Sequence, residues 1–431
     1  MKSKGYELIK EQVYSDRLLN GMPVYVIKKR GFYKTYAFFA TNYGGADRRF
    51  RHEGQWIDTP EGVAHFLEHK MFDTKDGNAL ERLSANGAQP NAYTSSDITA
   101  YFFESTEKFE ENLEILLDFV SVPYFTKESV DKEQGIIGQE IGMVEDDPGH
   151  VLYYGLMKLL FRHNPARDSV AGTAESIAEI TDETLYRCHK IFYNPANMAL
   201  CVAGDVDPDR IFEIAQKALQ IPRGDTPQSD YGEAEQREPC GSRAEKRMEV
   251  SEPQFMIGAS APYPERGEDK KRTELLGMLA CELIAGKSSP LYIKLYADGL
   301  IKSDFSAAFE STAGIAYSVF MGSSNEPEVV FDAIKAEVQR IINGGADNAL
   351  FERIKKACFG RDLRALNGFE SICHAYVSGF FNGYDALEMT EELLTVPLDE
   401  VVAFIHDNMK PENMAISLVL PSADNPEEVA I

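Results

Sequence analysis

Three side chains in one short run carry the most chemistry. His65, Glu68 and His69 stand at i, i+3 and i+4 of the run His65-Phe-Leu-Glu-His69. On a helix they project from one face, while Phe66 and Leu67 anchor the other side. Two imidazoles one turn apart can bind one Zn²⁺ through neutral ring nitrogens. The carboxylate between them then reaches a water activated at the metal instead of the metal itself. That chemistry is hydrolysis: Glu68 is the general base toward a water attacking a carbonyl, and later protonates the departing amine. The bland alternative is an amphipathic helix whose histidines are only hydrogen-bonded.

A site with two histidines needs a third protein ligand and keeps a fourth position for water. In Asp131-Lys-Glu-Gln-Gly-Ile-Ile-Gly-Gln-Glu-Ile141, Glu133 and Glu140 are two helical turns apart and share a face. Ile136, Ile137 and Ile141 fall largely on another face. One glutamate could ligate and the other support the site, and the spacing leaves open which does what. Asp146 and Asp147, just before Pro148, lie where the helix is ending and are weaker candidates, and Glu145 is a minor competitor.

The elements that must position these residues show a long-range echo. Asn-Pro-Ala-Asn-Met-Ala-Leu begins at Asn194 and Lys-Pro-Glu-Asn-Met-Ala-Ile begins at Lys410, an offset of 216 residues. Each follows a helical stretch and leads into an apolar strand. Thr35 to Ala40 answers Gln254 to Ala259, and Leu83-Ser-Ala-Asn-Gly87 answers Leu295-Tyr-Ala-Asp-Gly299. The pattern predicts an α+β fold of two tandem homologous domains, each a mostly antiparallel sheet with helices packed on one face. The polar, Gly- and Pro-containing stretch 222–249 has linker composition, which divides the chain into residues 1–221 and 250–431.

With 44% apolar and 26% charged residues, the composition is that of an ordinary globular protein, and 431 residues suit two domains. The formal charge of −25, from 69 acidic and 44 basic residues, repels phosphate backbones and anionic lipid, so neither nucleic acid nor a membrane is an expected partner. No run approaches the length of a membrane span. The six cysteines are scattered without a close pair and read as reduced thiols. The polar, charged start of the chain lacks the pattern of a secretory signal, and the expected location is the cytoplasm.

The run His65 to His69 is an inverted zinc motif, and the chain resembles the pitrilysin family of metallopeptidases over nearly its whole length. The likeness includes Gly87-Ala-Gln-Pro-Asn-Ala-Tyr-Thr94, Thr99-Ala-Tyr101, the helix bearing Glu133 and Glu140, Val170-Ala-Gly-Thr173, and the segment from Tyr193 to Asp205. The resemblance implies that His65, His69 and Glu140 hold zinc, that Glu68 is the general base and that Glu133 is a supporting acidic residue. It implies that Asn91, Ala92, Tyr93 and Thr94 border the cleft, where an edge strand would pair with an extended peptide substrate. It also implies that a half of this length closes against a second such half around a chamber.

One departure bears on that last point. Active relatives often carry an Arg and a Tyr in the second domain that reach substrate from the opposite half. Here the matching stretch is one residue shorter, Leu295-Tyr-Ala-Asp-Gly-Leu-Ile-Lys302, so Tyr296 and Lys302 stand about where Arg and Tyr are expected. The expected function is therefore a zinc endopeptidase or oligopeptidase acting on short or unfolded polypeptides. It works as a homodimer or beside a related subunit that supplies Arg and Tyr. The alternative is a non-catalytic assembly or peptide-binding subunit of the same fold, against which the intact His65, Glu68, His69 and Glu140 argue. His150 and His163 read as structural or capping residues, Trp56 as a loop or packing residue, and the charged run Glu328 to Arg340 as a solvated helix face.

Overall fold

The computed structural model describes residues 1–422. It divides into two compact units, each built on one main sheet. In the first unit the strand order is Lys2–Tyr6, Glu11–Arg17, Pro23–Lys28, Met198–Gly204, Thr35–Thr41, Thr99–Ser105 and Gln89–Thr94. Every pairing is antiparallel except that of Met198–Gly204 with Pro23–Lys28. The second unit repeats this arrangement with five strands. Met414–Pro421 runs parallel to Arg243–Met248 and antiparallel to Gln254–Ala261, beyond which lie Ile315–Ser323 and Ser306–Thr312. The two Asn-Met-Ala echoes thus open the equivalent strand of each sheet, the one that carries the single parallel pairing.

The central strands Thr35–Thr41 and Met198–Gly204 are buried along their whole length, which requires cover on both faces. Alternation along the strand supplies a side chain to each. Phe39 joins the main core with Leu113, Leu116, Leu185 and Ile211 from the helical layer. Phe38 points the other way and meets His374, with ring centroids 6.0 Å apart. His374 belongs to the helix Phe369–Asn382, whose Tyr376 also packs edge-on against Tyr25 at 4.9 Å. The α+β class and the largely antiparallel sheets are as expected, and one helix on the back face is added to the expected single helical layer.

That helix comes from the second half of the sequence. Residues 360–391 belong to the first compact unit, and residues 142–168 belong to the second. A division at 222–249 separates the two halves of the sequence echo, whereas the packing interleaves them. The reciprocal helix, Pro148–Leu160, lies on the back of the second sheet where small residues let it approach. A Cβ on Gly258 would sit 2.6 Å from the Ser318 carbonyl oxygen and 3.0 Å from Leu156 Cδ2. Gly258→Ala is therefore expected to destabilise the fold by about 1–3 kcal/mol through overpacking. Denaturant unfolding checks this, and an unchanged midpoint would refute the close approach.

Among the described residues, no helix is long and apolar enough to cross a membrane. Trp56 sits on a short strand beneath the Arg49 guanidinium at 5.3 Å. The backbone N–H of His150 donates to Asp147, which caps the helix that follows it.

Candidate metal centre

The motif forms the helix Val63–Met71. It starts abruptly at Gly62, whose φ of 86° is left-handed and where a Cβ would lie 2.6 Å from the Ala171 carbonyl oxygen. Val63, Phe66, Leu67 and Met71 enter the main core, which fixes the rotation of the helix. That rotation turns His65 and His69 toward a second helix, Lys127–Glu145, with Glu68 beside them and turned to Thr94. The second helix is held by Val130, Ile137 and Ile141. Ile136, grouped with them from the sequence, is instead 46% exposed.

The two helices bring three donors to one point. His65 Nε2 lies 3.5 Å from Glu140 Oε1, and His69 Nε2 lies 3.5 Å from Glu140 Oε2. One ligand atom from each residue falls within 4.8 Å of the other two, and no other such trio of His, Cys, Asp or Glu occurs among the described residues. Glu133 is not in this trio. Its Oε1 accepts from His69 Nδ1 at 3.1 Å. A carboxylate only accepts, so Nδ1 carries a proton toward Glu133, and Nε2, on the Glu140 side, is the nitrogen left to serve as a ligand. Asp147 is occupied as a helix cap. Two imidazole nitrogens and one carboxylate, with one imidazole oriented from behind by a carboxylate, are a donor set that fits Zn²⁺ and leaves a fourth position open.

The acidic groups are tuned in different directions. Burial pushes the Glu68 carboxyl up, although Thr94 Oγ1 donates to its Oε2 at 2.7 Å and both histidines pull the other way. The hydrogen bond from His65 holds Glu140 below the usual carboxylate range against a smaller effect of burial. Burial also works against ionised Glu133, but His69 and Lys70 outweigh it and keep it low. For His69, burial disfavours the charged form, and the surrounding Glu133, Glu140 and Glu68 more than compensate.

Asn91 to Thr94 lie on Gln89–Thr94, the last strand of the seven, paired among the described residues on one side only, with Thr99–Ser105. Their side chains differ in use. Asn91 Oδ1 accepts from the Ala92 backbone N–H, the Tyr93 ring packs 6.0 Å from His374 on the back face, and Thr94 turns to Glu68. The Thr94 contact and the burial of Lys70 beside the site were not foreseen. Nothing in the spacing marks Thr94. The signal for Lys70 is weak, a cation between His69 and Met71 on a helix with little polar surface. In the second unit, Tyr296 is 53% exposed on the helix Pro290–Ala297 and stacks on Tyr292, while Lys302 pairs with Glu252.

A relative spans this whole arrangement. The chain is 35% identical over 426 residues to a Bacillus subtilis protein described as an uncharacterized zinc protease, YmfH, covering 97% of this chain and 99% of that one. Residues 52–174 match the insulinase family, peptidase family M16. The chain belongs to the M16 peptidase family. Residues 179–358 match the M16 peptidase inactive domain. The first of these M16 matches contains His65, Glu68, His69, Glu133 and Glu140, and the second contains Tyr296 and Lys302. The crystal structure of an M16-like peptidase from Alicyclobacillus acidocaldarius superposes with a TM-score of 0.91 at 33% identity, covering 96% of this chain and 99% of that one. Pitrilysin shares the M16 fold at 16% identity and a TM-score of 0.76, with 98% of this chain matched to 46% of that one. The mitochondrial-processing peptidase subunit beta of Caenorhabditis elegans is 25% identical over 332 residues, 72% of this chain and 70% of that one.

Proposed function

We propose that this M16 chain is a zinc-dependent endopeptidase or oligopeptidase that hydrolyses short or unfolded polypeptides. The observation that carries the reading is the convergence of His65 Nε2, His69 Nε2 and the Glu140 carboxylate, with the Glu68 carboxylate on the same helical face. His65, His69 and Glu140 would hold the ion, which when bound supplies Lewis acidity to the scissile carbonyl and to water. Glu68 takes the proton of the attacking water and returns it to the leaving amine. Its buried setting raises its basicity toward that task, and the Thr94 hydrogen bond aims it. The unpaired edge of Gln89–Thr94 accepts an extended peptide by main-chain hydrogen bonds, which predicts loose sequence specificity. Metal analysis of the purified chain together with cleavage of a mixed peptide library tests the reading. A chain that takes up no zinc and cleaves nothing, alone or with related subunits, would falsify it.

Tyr296 and Lys302 support a second component of the proposal. The chain acts with another M16 half, either a second copy or a related subunit, and only the related subunit could supply the Arg and Tyr missing here. Co-expression with a related chain should raise the rate of peptide cleavage; a rate indifferent to any such chain removes the related subunit, and a chain that is active while monomeric removes the second copy as well.

Thr94 gives a test by pH. Its hydroxyl holds the Glu68 carboxyl below where burial alone would put it, so Thr94→Val raises that pKa further. A general base must be ionised, and the acid limb of the pH profile of kcat/KM therefore moves to higher pH. The expected loss is about tenfold on the acid limb, where Glu68 is mostly protonated, the value of one hydrogen bond to a charged group, and it shrinks as pH rises past that limb. A profile that does not move would separate Thr94 from Glu68.

A further inference from the structure

Lys70 directly follows the second motif histidine. A lysine on a surface helix extends its ammonium into water, yet this side chain is 1% exposed. Taking an ammonium out of water is strongly unfavourable unless counter-charges surround it. Two carboxylates do so here. Lys70 Nζ donates to Asp73 Oδ2 and lies 3.6 Å from Glu133 Oε2. The other oxygen of the same carboxylate, Glu133 Oε1, is the acceptor for His69 Nδ1. Glu133, itself only 15% exposed, thus spans the buried ammonium and the imidazole.

The two imidazoles are not equally braced. His65 Nδ1 is buried with no hydrogen-bond partner among the described residues. Orientation from behind falls on His69 alone, through one carboxylate. A glutamate held at one oxygen is free to turn about its last torsion, whereas one held at both is not.

The geometry points to Lys70 as a positioning residue of the metal centre: its buried ammonium fixes the Glu133 carboxylate, which holds the His69 ring with Nε2 toward Glu140. The inference rests on the zinc reading above and adds to it a residue outside the ligand set. The competing account is that Lys70 only ties the end of its helix to Asp73. Lys70 would then act on stability without reference to Glu133.

The test uses the full chain and zinc alone, with affinity read by competition against a chromophoric chelator. Wild type is compared with Lys70→Met, Glu133→Gln and the double variant. Lys70→Met is expected to weaken zinc binding by roughly 10–100-fold, the usual consequence of losing an outer support of a ligand. In the Glu133→Gln background it should add less than about twofold, because the carboxylate through which it acts has lost its charge. Lys70→Gln keeps a donor without the charge and is expected to lose less than Lys70→Met. It serves for the comparison if the methionine variant does not fold. Wild-type zinc affinity in both Lys70 variants, or equal losses with and without Glu133, overturns the inference while leaving the zinc reading intact. A wild-type chain that binds no zinc removes both.

Discussion

Glu68→Gln is expected to leave zinc bound and to abolish peptide hydrolysis, lowering kcat by a factor on the order of 10²–10⁴, the span over which a positioned general base contributes. The substitution isolates the proton-transfer role because little else changes. Glutamine has nearly the same volume and keeps an oxygen to accept the Thr94 hydroxyl, now 2.7 Å from Glu68 Oε2. Glu68 is outside the convergent trio, so the donors for the metal are untouched. The measurements are zinc content by elemental analysis and turnover of a peptide substrate. Loss of zinc together with activity would show that Glu68 shapes the metal site. Retention of both would remove it from catalysis. Its raised pKa gives a further check, since the acid limb assigned to Glu68 should be missing from whatever residual rate the variant shows.

The spacing of His65, Glu68 and His69 was enough to place all three on one face, because a nine-residue helix anchored by Phe66 and Leu67 has one way to turn. The pairing of Glu133 with Glu140 was legible to the same extent, and no further. Seven residues make nearly two whole turns, so both side chains leave the helix in the same direction and periodicity cannot rank them. What separates them is the relative slide of Lys127–Glu145 along Val63–Met71, set by contacts of Val130, Ile137 and Ile141 with the core. Ile136 was misgrouped for a related reason: a stripe of apolar residues names a face but not its width.

Tertiary choices left fainter traces. The amphipathic pattern of Pro148–Leu160 or Phe369–Asn382 says that one side is buried, not which sheet buries it, and both helices join the unit built from the other half of the sequence. The close-approach points, Gly258 on the sheet and Gly155 on Pro148–Leu160 itself, meet partners far away in the sequence, Leu156 and Ser417. Lys70 is the sharper case. A lysine on an amphipathic helix is expected in water, and only the combination of Asp73 three residues on with Glu133 from another helix makes its burial tolerable.

The choice between the two glutamates leads to the second large effect. Glu140 offers one oxygen to each histidine at 3.5 Å, in the position where an ion would take their place as partner. Glu140→Gln keeps the shape and removes the anionic donor, leaving two neutral nitrogens and a weak amide oxygen for a dication. Zinc affinity is expected to fall by more than the roughly 100-fold that marks the upper range for an outer support, and activity at ordinary zinc levels should vanish with it. Glu133→Gln leaves all three donors in place but loses the acceptor that pins His69 Nδ1, and its expected loss is within about 10–100-fold. Excess zinc therefore restores activity to Glu133→Gln and not to Glu140→Gln. The order of the two variants in a zinc titration decides the assignment: if Glu133→Gln proves the weaker binder, the third ligand is Glu133 and the trio seen here rearranges when the ion enters.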